Sequence, residues 1–136
     1  GENYLQLPFL ILDYPRYFKE ENIFAVRTMF WWGNFFSVTM QLSGKYKLRY
    51  QQNLVDKYDE IKRSGFYLNV HENQWHHHFE IDNYKIVNDI TKEEMASILA
   101  KKEFLKMAKM FPLQQWQHIP QMLENTFTQF IDLLKH

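Results

Sequence analysis

The sequence predicts an α+β fold: an antiparallel sheet of about five strands, from two hairpins plus the N-terminal segment, covered by a middle helix and a C-terminal helical pair. Three observations carry this. Phe24 to Leu42 (FAVRTMFWWGNFFSVTMQL) joins two runs rich in β-branched and aromatic residues through Gly33-Asn34, a pair that tolerates the positive φ of a tight two-residue turn. Thr91-Lys92-Glu93-Glu94 has the spacing of a capping box and so marks a helix start. Leu123, Phe127, Phe130, Ile131 and Leu134 recur at helical spacing behind Pro120, which suits a first helical turn, and predict a last helix to about Lys135.

Before the hairpin, Leu5 to Leu12 (LQLPFLIL) is a short apolar run in which Pro8 confines a strand to an edge or to the part after the proline. Asp13 to Phe18 (DYPRYF) reads as a turn, with Pro15 stopping the strand. A two-residue turn in the hairpin pairs Trp32 with Phe35, Phe30 with Ser37, Thr28 with Thr39 and Val26 with Gln41. Side chains alternate along a strand, so Ala25, Arg27, Met29, Trp31, Phe36, Val38, Met40 and Leu42 form the expected core face.

After Ser43-Gly44 a helix is expected from about Lys45 to Arg63, with Tyr50, Leu54, Val55, Tyr58 and Ile61 as its buried stripe. The alternation of Tyr46, Leu48 and Tyr50 leaves a later start, near Gln51, as the alternative. Phe66 to Val70 and Trp75 to Ile81 read as a second hairpin, and Asn83 to Val87 as a brief further strand. In the helix from Thr91, Met95, Ile98 and Leu99 point one way, whereas Phe104, Met107, Ala108 and Phe111 point nearly the other. That helix therefore either breaks near Lys101-Lys102-Glu103 or is buried on two sides before Pro112 ends it.

The 136 residues show no repeat, low-complexity run or flexible linker, which predicts one compact domain over 1–136. Gly1 in place of methionine reads as a cleavage scar, so the chain is expected to be the C-terminal part of a longer natural one. Cysteine is absent, which excludes disulfides and thiolate chemistry and suits a reducing cytosol. Sixteen basic and sixteen acidic residues cancel, which argues against a nucleic-acid partner. No apolar run approaches the roughly 20 residues of a membrane span, and no signal peptide is visible, so no membrane partner is expected and a cytoplasmic location is.

Two surfaces carry candidate chemistry. The hairpin face opposite the expected core places Phe24, Thr28, Phe30, Trp32 and Phe35 beside Ser37 and Thr39, in a chain that is 18% aromatic. Aromatics with a few placed hydroxyls suit an apolar ligand or a homodimer partner, although covering helices explain them as well. Arg27, among apolar residues of the other face, needs a partner or a route to solvent; it can clamp a carboxylate or phosphate of a ligand, or form a structural ion pair with Asp13 or Asp59.

The second surface is Trp75-His76-His77-His78-Phe79-Glu80, where His76, His78 and Glu80 project from one side of a strand and can hold a transition metal if a neighbouring strand supplies another ligand. The His-x-His pair resembles the first metal-binding element of cupins, but the glycines and spaced glutamate of that pattern are missing, so no cupin property carries over. A solvated strand face is the simpler explanation. The lysines Lys101, Lys102, Lys106 and Lys109 read as a solvated helix face. The sequence therefore favours a non-enzymatic binding or interaction domain, with a metal-dependent enzyme centred on the His-x-His-x-Glu strand as the alternative.

Overall fold

A computed structural model describes residues 2–4, 7–19, 22–31, 35–71 and 83–135, with side chains described for 22–29, 35–71, 83–112, 114, 115 and 117–135. The strands are β1 (Glu2–Tyr4), β2 (Leu7–Lys19), β3 (Asn22–Trp31), β4 (Phe35–Ser43), β5 (Tyr67–Asn69), β6 (Tyr84–Ile86) and β7 (Phe104–Pro112). They form one sheet in the order β1-β2-β3-β4-β7-β5-β6, and each neighbouring pair is antiparallel. The helices are α1 (Lys45–Asp56), α2 (Tyr58–Arg63), α3 (Lys92–Lys101) and α4 (Ile119–Leu134). They pack on one face of the sheet, which gives the expected α+β architecture.

The first hairpin is present, but its register differs by one residue from the expected one. Pairing runs from Phe24↔Leu42 through Val26↔Met40, Thr28↔Val38 and Phe30↔Phe36 to Trp31↔Phe35, so Trp32, Gly33 and Asn34 lie between the paired strands; these three are outside the described residues. A slip of one residue moves a whole strand's side chains to the other face. The result collects Val26, Val38, Met40 and Leu42 under the helices, whereas the expected register would have set Val26 beside Gln41. Burial of each such side chain is worth about 1.5–3 kcal/mol, which outweighs the preference for a two-residue turn.

Asp13 to Phe18 is strand rather than turn. β2 pairs with β3 from Phe9, immediately after Pro8, to Lys19, and the register shifts between Asp13 and Arg16. Pro15 sits within that irregularity, where a missing ladder donor is tolerated.

Helix α1 begins at Lys45, so Tyr46, Leu48 and Tyr50 are helical, and Lys57 separates α1 from α2. Leu54, Tyr58 and Ile61 are buried as the spacing predicts, with Tyr50 and Val55 half-buried. The capping box forms: the Glu94 N–H donates to Thr91 Oγ1 at 3.0 Å and the Thr91 N–H to Glu94 Oε1 at 3.4 Å. Helix α3 stops at Lys101, and the following residues enter the sheet as β7 instead of continuing as helix. Phe104 through Ala108 are all buried because β7 is covered on both faces, and such a strand does not show a simple in-out alternation.

Under the helices, Phe66 packs on Phe130 with ring centroids 5.3 Å apart, and the cross-strand partners Phe36 and Phe111 stack at 5.0 Å. The C-terminal end of α4 is held by α1 and the α1–α2 junction. Asn53 Nδ2 donates to the Leu134 carbonyl at 2.7 Å, and Lys57 Nζ donates to the carbonyls of Asp132 at 2.5 Å and Lys135 at 2.6 Å.

Candidate functional site

The register that packs the aliphatic residues beneath the helices gives the opposite sheet face an unusual composition. It brings together Ala25, Arg27 and Met29 of β3, Ser37, Thr39 and Gln41 of β4, and Phe104, Lys106 and Ala108 of β7. Gln41 is the register partner of both Ala25 and Lys106, and Asn69 is that of Tyr84. Polar residues on one sheet face normally meet water. Here Gln41, Lys106 and Asn69 are each only 1% exposed.

Arg27, Met29, Ser37, Thr39, Gln41, Tyr84 and Lys106 line a small cleft, a niche with about 10 Å³ of interior space. The niche has room for about one water-sized group. The Tyr84 hydroxyl lies within hydrogen-bonding reach of the Asn69 and Thr39 side chains, and burial raises its pKa. Outside the cleft lining, Lys102 Nζ donates to Asn69 Oδ1 at 2.6 Å and to the Asn69 carbonyl at 2.8 Å, and lies 4.2 Å from the centroid of the Phe104 ring.

Lys106 has the most perturbed amine of the site. Burial, then the nearby positive charges of Arg27 and Lys102, lower its pKa from 10.5 to about 7. Burial alone brings Lys102 to about 8. The cleft therefore combines a permanent cation at Arg27, an amine that changes charge near neutrality, and hydroxyl and amide groups on neighbouring strands.

The structure separates the residues that the sequence grouped. Arg27, Phe35, Ser37 and Thr39 share the polar face, and Phe35 is half-buried at its far end. Phe24 and Thr28 belong instead to the helix-covered face: Phe24 meets Tyr46 and Tyr50 of α1 edge-on, at 5.7 Å and 6.4 Å between centroids, and Thr28 is buried. Phe30 pairs with Phe36 in the ladder, and its side chain is outside the described ones; Trp32 is outside the described residues. Asp13 is the register partner of Arg27, whereas Asp59 is exposed on α2 across the sheet, so of the two ion-pair candidates only Asp13 has a backbone position beside Arg27.

His76, His78 and Glu80 also lie outside the described residues. Among the described residues, no group of three His, Asp or Glu side chains is placed to hold a metal ion. Lys106 and Tyr84 are the site residues that sequence reasoning missed. Lys106 was expected on a solvated helix face; the structure places it in a buried strand, between Leu105 and Met107 on the opposite face. Its sequence signal is a lysine enclosed in the run FLKMAKMF, in which no helical stripe is kept.

A more open groove of about 520 Å³ runs between β7 and α4, from Lys109 and Phe111 to Met122 and Gln129. Lys109 Nζ donates there to Gln129 Oε1 at 2.9 Å. No helix among the described residues is long and apolar enough to cross a membrane. In comparisons with known proteins, no family model matches this chain, and neither a curated protein nor a solved structure matches it.

Proposed function

We propose that the protein is a non-enzymatic binding domain that takes a small ligand on the polar face of its sheet, in the cleft between Arg27, Thr39, Gln41, Tyr84 and Lys106. The observation that carries this reading is the burial of a polar sheet face: Gln41 and Lys106 are 1% exposed, where aliphatic residues of similar size would fill the space at lower desolvation cost. Polar groups converging on a cleft are what a specific ligand site requires. The expected apolar ligand gives way to a polar one, because Phe24 lies on the helix-covered face, away from Ser37 and Thr39. A cytoplasmic setting fits the absence of cysteine.

The test is native mass spectrometry of the purified chain beside a Thr39→Val/Gln41→Leu variant. A co-purified small molecule carried by the parent chain and lost from the folded variant supports the reading. A bare monomer in both supports a purely structural polar face. A dimer that the variant abolishes assigns the face to a second subunit instead.

A further inference from the structure

Lys106 is enclosed where a lysine is least expected, inside a buried strand, yet its side chain belongs to the lining of the cleft. The same cleft is lined by the hydroxyl side chains Ser37, Thr39 and Tyr84. Tyr84 is within hydrogen-bonding reach of Thr39, and burial keeps its phenol protonated. Burial, reinforced by the positive charges of Arg27 and Lys102, leaves the Lys106 amine about half unprotonated at pH 7. An amine attacks carbon through the lone pair that protonation occupies, so this is its nucleophilic form.

We propose that Lys106 captures a small aldehyde covalently, as a Schiff base, with the hydroxyls of Tyr84 and Thr39 beside it in the cleft. The inference rests on the ligand-binding reading above and names the ligand's reactive group. The step needs no further reactant. The amine nitrogen bonds to the carbonyl carbon, an N–H proton passes to the oxygen, and the resulting carbinolamine loses that oxygen as water to leave the C=N bond. Three features support it. A carbonyl oxygen is about the size of the group the niche admits. Hydroxyl donors suit an oxygen that gains negative charge and then a proton. Enclosure of Lys106 keeps out the bulk water that hydrolyses an exposed imine. Lys102 provides the contrast: burial also lowers its amine, to about 8, but it lies outside the lining and is held by both oxygens of Asn69.

The experiment is reductive trapping of the full chain at pH 7 with acetaldehyde and sodium cyanoborohydride, stopped at low conversion and read by peptide mass mapping. Lys106 should carry about tenfold or more ethyl label than the exposed lysines Lys45, Lys92 and Lys101, and more than Lys102. The same reaction in concentrated urea should lose the preference. Equal label on Lys106 and the exposed lysines, or label on Lys102 in preference, overturns the covalent assignment. The binding reading then stands if native mass spectra still show a molecule that Thr39→Val/Gln41→Leu loses, and falls with it if they show none.

Discussion

Gln41 and Lys106 are register partners across the β4–β7 ladder, and both are almost completely buried on the sheet face opposite the helices. A neutral amine can stay inside the protein there, since it carries no charge to desolvate. When charged it is held there at a cost. The pKa of about 7 for Lys106, against 10.5 in the unfolded chain, expresses that cost.

Stability should therefore depend on pH through this residue. Between pH 7 and 10.5 the unfolded chain holds a proton that the folded chain has lost, so stability rises with pH across this window, and the cost of the charged amine is fully present below it. Denaturant unfolding at pH 7 and pH 9.5 should show the parent chain gaining on the order of 1–3 kcal/mol relative to Lys106→Met. Lys102, lowered in the same direction, is present in both proteins and largely cancels in the comparison.

The end of α4 depends on two side chains from the first helical segment. Asn53→Ala leaves the Leu134 carbonyl without its amide donor in a buried setting and should cost about 1–3 kcal/mol. Lys57→Met removes donors from the Asp132 and Lys135 carbonyls at a more exposed position and should cost less, about 0.5–1.5 kcal/mol. Thermal unfolding of the two variants checks the order.

Phe130 is fully buried against Phe66, at the centre of the helix-covered core. Phe130→Ala should destabilise by about 3–5 kcal/mol, as large aromatic truncations in packed cores do. Chemical denaturation monitored by circular dichroism measures it.

Thr91→Ala breaks the capping box of α3 and should cost about 1 kcal/mol, whereas Thr91→Ser, which keeps the hydroxyl acceptor, should lose little of it. Equal losses for the two variants would show that the methyl group, not the cap, carries the effect.

Features set by local chemistry were legible in the sequence: the capping box at Thr91, the stripe of α4, the buried face of α1 and the existence of the first hairpin. The hairpin register was not, because Gly33-Asn34 favours a two-residue turn by a margin that tertiary packing of Val26, Val38, Met40 and Leu42 exceeds. Strand β7 was hidden for a related reason. Its methionines, alanine and lysines are good helix formers, and only its place inside the sheet makes it a strand. The candidate site inherited both difficulties: Arg27, Ser37 and Thr39 were visible as candidates, but what unites them is a register, and Lys106 joins them only through β7.

The position of β7 also bears on how the chain emerges from the ribosome. It separates β4 from β5 in the sheet, yet it is the last strand to be synthesised. Until residue 112 is available, the four N-terminal strands and the β5–β6 pair have no strand to join them, and the long edge of β4 stays open to any other nascent chain. Closing the sheet then requires a contact between segments about 70 residues apart, an entropically slow step during translation. A polypeptide arrested before Phe104 would carry six of the seven described strands without the one that joins β4 to β5.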